Sequence, residues 1–310
     1  MKVGHKSDIG SRKAIYEDSI VVMKSNTVYR SKHVEAILLA LADGMGGHNA
    51  GGVASSLATE TITEEMTRVL EKGQRGLSDE EMSTLFQKSI KLANKKIYEY
   101  GQQNPQYQGM GTTVTAAVVL ENIVYIGHVG DSRAHISNER EFIQVTKDHT
   151  LVQEMVDDGK ITDDEARVHP QKNILTRIVG MYPDVDADII RVRLDEGDHL
   201  LVCSDGLTDI VPDEEIHAIV LDYKDPQTIC DALVEEANER GGFDNISVIL
   251  GKFDADDILI QKQKKQKTEL RTIKLKSEVL TCPLCKNEIQ EDWIACPYCA
   301  VRLKDDTRIY

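Results

Sequence analysis

Residues 40–52 read Ala40-Leu41-Ala42-Asp43-Gly44-Met45-Gly46-Gly47-His48-Asn49-Ala50-Gly51-Gly52. An apolar run ends in one carboxylate, and a train of small residues follows it. The train is not a phosphate cradle. A P-loop needs Gly-Lys-Ser/Thr at its end, and a dinucleotide fingerprint started at Gly44 and Gly46 needs glycine where Asn49 stands. A turn or helix cap accounts for an isolated Asp-Gly. It does not account for several of them at strand ends, because an unpaired carboxylate delivered by an apolar strand is costly.

Asp43 is one of a set. The apolar run 199–203 ends in Ser204-Asp205-Gly206, and 123–129 ends in Gly130-Asp131-Ser132. Glu17-Asp18 precede the run 19–23, and Gly241-Gly242-Phe243-Asp244 precede 245–251. Five strand ends therefore present carboxylates, most of them beside Gly or Ser, where backbone can approach a ligand closely. Grouped carboxylates raise one another's pKa unless a cation lies between them. An oxygen donor set without His or Cys suits a hard cation, Mg²⁺ or Mn²⁺.

The bulk numbers agree. The chain has 310 residues, 29% of them charged, and a formal net charge of −15. Residues 254–310 are close to neutral, so the acidity belongs to residues 1–253. An acidic body argues against nucleic acid as the main ligand and favours bound cations. No apolar run is long enough for a membrane span, and the first residues do not form a signal peptide. A cytoplasmic address and no membrane partner are expected.

Short β-branched or apolar runs are predicted as strands over 19–23, 35–42, 112–120, 123–129, 134–137, 188–192, 199–203 and 245–251. The pair around Glu121-Asn122 reads as a hairpin. Helical patterns are predicted over 52–70, 79–100, 214–221 and 226–240. Hairpins mixed with long helices imply an α+β fold with antiparallel sheet. Residues 151–167 read as two short helices around Gly159, within a surface flap over 148–167.

At these carboxylates the sequence resembles the metal-dependent serine/threonine protein phosphatases of the PP2C (PPM) family, bacterial type. The matching stretches, in the family's order over residues 3–253, are Glu17-Asp18-Ser19, Asp43-Gly44-Met45-Gly46-Gly47-His48, Gly109-Met110-Gly111-Thr112-Thr113, Gly130-Asp131-Ser132-Arg133, Ser204-Asp205-Gly206-Leu207-Thr208-Asp209 and Asp244-Asn245-Ile246-Ser247. The resemblance implies a four-layer α-β-β-α sandwich, two antiparallel sheets flanked by helices, with two Mn²⁺ or Mg²⁺ ions in the cleft. It implies that Asp43 bridges both ions, that the Gly44 carbonyl binds one, and that Asp205 and Asp244 hold the other. It further implies that Glu17 acts largely through metal-bound water, with Asp18 in support, and that Asp131 recruits a third, weaker ion. The implied activity is hydrolysis of phosphoserine and phosphothreonine on proteins by a water activated at the dinuclear centre, opposing a Ser/Thr protein kinase. No protein nucleophile is needed. Cys203 lacks the Arg six residues on that a cysteine phosphatase has, since Asp209 stands there.

Two positions depart from the pattern. The family's phosphate-holding Arg falls at Lys13, with Arg12 one residue earlier, and either side chain reaches a phosphate. Met45 stands where eukaryotic members carry a His, so the general acid is open, with His48 a candidate. The alternative to an enzyme is an inactive phosphoprotein-binding or scaffold module.

After a basic stretch over 261–276, Cys282, Cys285, Cys296 and Cys299 form two C-x₂-C pairs. Paired knuckles of this kind suit a tetrahedral structural Zn²⁺ site. The domain boundaries expected are 1–253 for the phosphatase-like domain, 254–281 for a basic linker and 282–310 for a Cys₄ zinc ribbon that docks a protein partner.

Overall fold

The computed structural model describes residues 1–47, 50–72 and 77–254. In chain order the elements are β1 (Lys2–Asp8), β2 (Asp18–Tyr29), β3 (Lys32–Met45), α1 (Ala50–Lys72), α2 (Asp79–Gln103), β4 (Gly111–Thr112), β5 (Val114–Leu120), β6 (Ile123–Val129), β7 (Arg133–Ser137), β8 (Phe142–Gln144), α3 (Leu151–Asp157), α4 (Asp163–Arg167), β9 (Asp188–Arg193), β10 (His199–Cys203), α5 (Asp205–Thr208), α6 (Asp213–Asp222), α7 (Pro226–Glu239) and β11 (Ile246–Lys252). Pairing is antiparallel throughout both sheets, one ordered β1-β11-β10-β7-β8 and the other β2-β3-β5-β6-β9, with β4 on the end of β3.

Strand alternation explains the four layers. Along β3, Leu38, Ala40 and Ala42 pack with Ala54, Ala58, Ile62, Phe86 and Ile90 of α1 and α2. The intervening Ile37, Leu39 and Leu41 are equally buried, and side chains alternate across a strand, so they face the second sheet. In that sheet Leu201, Cys203, Val248 and Leu250 pack under Ile216, Ile229 and Leu233 of α6 and α7. Both faces of each sheet are thus covered, and this is why β3, β5, β6 and β10 read as nearly continuous apolar runs. The order of layers is helix, sheet, sheet, helix, as the resemblance implied.

The predicted elements are present, several of them with longer ends. β2 and β3 extend well beyond the runs 19–23 and 35–42. The run 112–120 is two strands, because Thr113 leaves the ladder to bond Asp43. The edge strands β1 and β8 and the four-residue α5 escaped the reading. The Glu121-Asn122 hairpin forms with a positive φ of 56° at Glu121, the conformation that a tight two-residue loop needs at its first position. In the flap, Gly159 (φ 68°) donates to the Val156 carbonyl at 2.9 Å and Lys160 to the Met155 carbonyl at 2.8 Å. That pairing is a Schellman motif, so Gly159 serves to end α3.

Candidate active site

β2 and β3 pair so that Asp18 lies directly opposite Asp43. Like charges at facing positions destabilise a sheet. Asp205 follows the end of β10 as the first residue of α5, Asp244 precedes β11, and Asp131 follows β6. Three strand ends of one sheet, those of β2, β3 and β6, and two of the other, those of β10 and β11, thus open onto the same cleft. Burial drives the Asp43 carboxyl well above the usual carboxylate range, and the charges of Asp18, Asp205 and Asp131 add to it. Asp205 is raised in the same way by burial, then by Asp131, Asp209 and Asp244. Burial lifts Asp131 to about 7, with Asp148 adding and Arg133 opposing. Asp18 is lifted by burial to about 6, with nearby Ser247 and Ser204 pulling it partway back.

The loop of the opening stretch is shaped by close approach. A Cβ on Gly44 would lie 2.1 Å from the Gly51 carbonyl oxygen, and one on Gly51 would lie 2.6 Å from both the Gly44 carbonyl and Glu17 Oε1. The first turn of α1 therefore presses onto the end of β3 with room for no side chain at either position. Asp43 is fixed through its backbone. Thr112 Oγ1 and the Thr113 N–H donate to its carbonyl at 2.8 Å each, and its own N–H donates to Thr113 Oγ1 at 3.0 Å. Thr113 Oγ1 in turn meets Ser132 Oγ at 2.7 Å. This is the work of the Gly109–Thr113 stretch, whose role the sequence did not disclose.

Asn245 is the second residue missed. Its Oδ1 accepts the Glu17 N–H at 2.6 Å, and its Nδ2 donates to the carbonyls of Ile9 and Ile15 at 2.8 and 3.1 Å. One side chain therefore ties the segment carrying Lys13, Glu17 and Asp18 to the start of β11. Asp209, one turn after Asp205, adds a further carboxylate and bonds Lys172 at 2.8 Å.

Lys13 and Arg12 separate. Lys13 Nζ lies 2.6 Å from Asp244 Oδ1. Partial burial weakens its ammonium, but that bond and the charges of Asp244, Glu17 and Asp43 outweigh it, so its pKa is raised. The Arg12 guanidinium instead stands 5.8 Å from the centre of the Phe243 ring. Cys203 and Cys230 are free buried thiols, each pushed up to about 12 by burial. Neither is a nucleophile. His48, Cys282, Cys285, Cys296, Cys299 and the segment 261–276 lie outside the described residues.

As they stand, no three His, Cys, Asp or Glu side chains among the described residues close around one point. The donor chemistry nonetheless fits a hard cation. Glu17 Oε1, both carboxylate oxygens of Asp18 and Asp205 Oδ1 are buried and accept no regular hydrogen bond. Such acceptors are rare in folded proteins unless something outside the chain satisfies them.

The family described as Protein phosphatase 2C matches residues 26–235. The chain belongs to that family. The serine/threonine phosphatase Stp of Listeria monocytogenes is 38% identical over 226 residues, covering 72% of this chain and 86% of that one. The solved Streptococcus agalactiae serine/threonine phosphatase superposes with a TM-score of 0.71 at 36% identity, covering 82% of this chain and 99% of that one. A structure of the catalytic domain of the serine/threonine protein phosphatase PstP, solved in complex with two manganese ions, superposes with a TM-score of 0.67 at 32% identity, covering 82% of this chain and 98% of that one.

Proposed function

We propose that this chain is a protein serine/threonine phosphatase whose carboxylate cleft holds two divalent cations. Family membership supports the activity. The observation that carries the metal assignment is the set of unpartnered, buried carboxylate oxygens on Glu17, Asp18 and Asp205 facing one cleft. The ligand set proposed is Asp43, the Gly44 carbonyl, Asp205 and Asp244, with Glu17 and Asp18 behind them and Asp131 beside a third, weaker ion. Mn²⁺ or Mg²⁺ when bound supplies Lewis acidity, which acidifies water and offsets charge on the phosphoryl oxygens.

The chain's own residues do the rest. Asp18 and Glu17 hold charge opposite Asp43 and keep the cleft selective for cations. The Thr112–Thr113 bonds fix where Asp43 points. Lys13, drawn toward the cleft by Asp244, offers its ammonium to the phosphate dianion as a point charge. Arg12 stands nearby on Phe243, available to the same anion. The inactive scaffold reading is disfavoured, because a binding module has no use for this many unpartnered carboxylates.

Phosphorylated proteins are the substrates, a cognate Ser/Thr kinase the opposing enzyme, and the cytoplasm the address, in keeping with two free buried thiols and with no helix among the described residues long and apolar enough to cross a membrane. Residues 1–253 form the phosphatase domain, 254–281 a basic linker and 282–310 a zinc ribbon with a structural Zn²⁺ and a protein partner. Phosphate release from a phosphothreonine peptide in Mn²⁺, and in excess chelator, tests the central assignment with Asp205→Asn alongside. Turnover should require the ion and fall at least a hundredfold in the variant. Equal turnover in chelator would refute it.

A further inference from the structure

We propose that the groove along the first turns of α1 binds a lysine or arginine side chain of the phosphoprotein, close to its phosphorylated residue. The proposal rests on the phosphatase reading and names a specificity determinant for it, Glu60.

A groove of about 450 Å³ is lined by Tyr16, Gly52, Val53, Ser56, Leu57 and Glu60. It opens directly beside the cleft. Tyr16 precedes Glu17 in the chain, and Gly52 follows the Gly51 that abuts Glu17 Oε1. Positions 53, 56, 57 and 60 share one helix face, so the groove runs along α1 away from the carboxylates. The Tyr16 hydroxyl meets Ser247 Oγ at 3.1 Å, which holds the ring in place while the residue stays 38% exposed. Val53 and Leu57 are half-buried and apolar, and Ser56 and Glu60 are exposed. Glu60 has no ion-pair partner among the described residues.

A trough of mixed lining, with Val53 and Leu57 beside the Tyr16 ring and the Glu60 carboxylate further along, matches one kind of side chain. The stem of a lysine or arginine covers apolar surface while its head remains charged, and its cation is attracted to an aromatic face. An aliphatic side chain would fill the trough but leave Glu60 unused. An acidic one would meet both Glu60 and the protein's net charge of −15. The groove therefore selects a basic residue, while the phosphate itself is left to the cations and Lys13.

The test is a set of phosphothreonine peptides in which a single Arg or Glu is walked through the three positions on each side of the phosphorylated residue. The readout is the kcat/KM ratio of each Arg/Glu pair in Mn²⁺, for the full chain and for Glu60→Gln and Glu60→Lys. At one position the wild-type ratio should favour Arg by roughly fivefold to tenfold, the size of a partly exposed ion pair with an aromatic contact. Glu60→Gln should bring that ratio near one, and Glu60→Lys should invert it. Because each variant is its own reference, a general loss of activity does not imitate the result, and thermal unfolding reports whether it folds. Turnover without a preference at any position, or a preference unchanged in both variants, overturns the groove and leaves the phosphatase reading intact. No turnover of any peptide overturns both.

Discussion

Asp18 and Asp43 stand opposite each other on paired strands, and each is raised by burial and by the charges around it. That arrangement is unfavourable without a cation and favourable with one, so stability and activity should respond to mutation in opposite directions. In chelator, Asp43→Asn keeps the shape and removes one charge; thermal unfolding should show a gain on the order of 1 kcal/mol from relieved repulsion. In Mn²⁺ the same variant should lose about a thousandfold in kcat. Thr113 makes a second residue-scale case. Thr113→Val removes the acceptor of the Asp43 N–H and the partner of Ser132. The buried donor left behind should cost about 1–3 kcal/mol, read by denaturant unfolding, and an unchanged midpoint would rule out this bracing role.

Elements meet at the site because loops are tied across the sandwich, and Asn245 is the main tie. Replacing it with Ala frees the Ile9 and Ile15 carbonyls and the Glu17 N–H at once. Asn245→Ala should therefore destabilise by about 2–4 kcal/mol and raise the Mn²⁺ concentration needed for half-maximal turnover. Unaltered Mn²⁺ dependence would mean that the tie does not position Glu17. Such ties mark the limit of what the sequence alone reveals. Asp43, Asp131, Asp205 and Asp244 were legible because each ends or begins an apolar run, a one-dimensional pattern. Asn245, Thr113 and Asp209 were not, since their partners lie far along the chain or in a pairing register that local sequence does not set. The strands divide in the same way. β5, β6 and β10 announce themselves by continuous burial. β1 has one fully buried residue in seven and owes its place to its ladder with β11. The separation of Lys13 from Arg12 also needed the fold, which brings Asp244 to Lys13 and Phe243 to Arg12.

For the molecule as a whole, two buried histidines weaken the fold in acid, in the opposite sense to the raised carboxyls of Asp43, Asp205, Asp131 and Asp18. Burial lowers His128 to about 4, with His149's charge adding, and lowers His135 to about 3, with Arg133's charge adding. Both are thus neutral in the fold and take up protons in the unfolded chain below about pH 6.5. Their contribution is fully present above that pH and is lost as pH falls toward 4 and then 3, at up to about 1.4 kcal/mol per pH unit for each. His135 stacks on Phe142 at 4.5 Å and leaves both ring nitrogens unpartnered, so Phe suits its site. His135→Phe should flatten the fall of Tm between pH 6.5 and 4.5, and an identical slope would contradict this account. The central claim is that one carboxylate cleft both holds the cations and carries the phosphatase activity. Equilibrium dialysis against Mn²⁺, with phosphothreonine-peptide turnover measured on the same samples of wild type and Asp43→Asn, addresses it directly. The account predicts at least two cleft-bound ions per wild-type chain, counted as those lost in the variant, with turnover lost alongside them. A variant that binds as many ions as wild type and turns over as fast would contradict it.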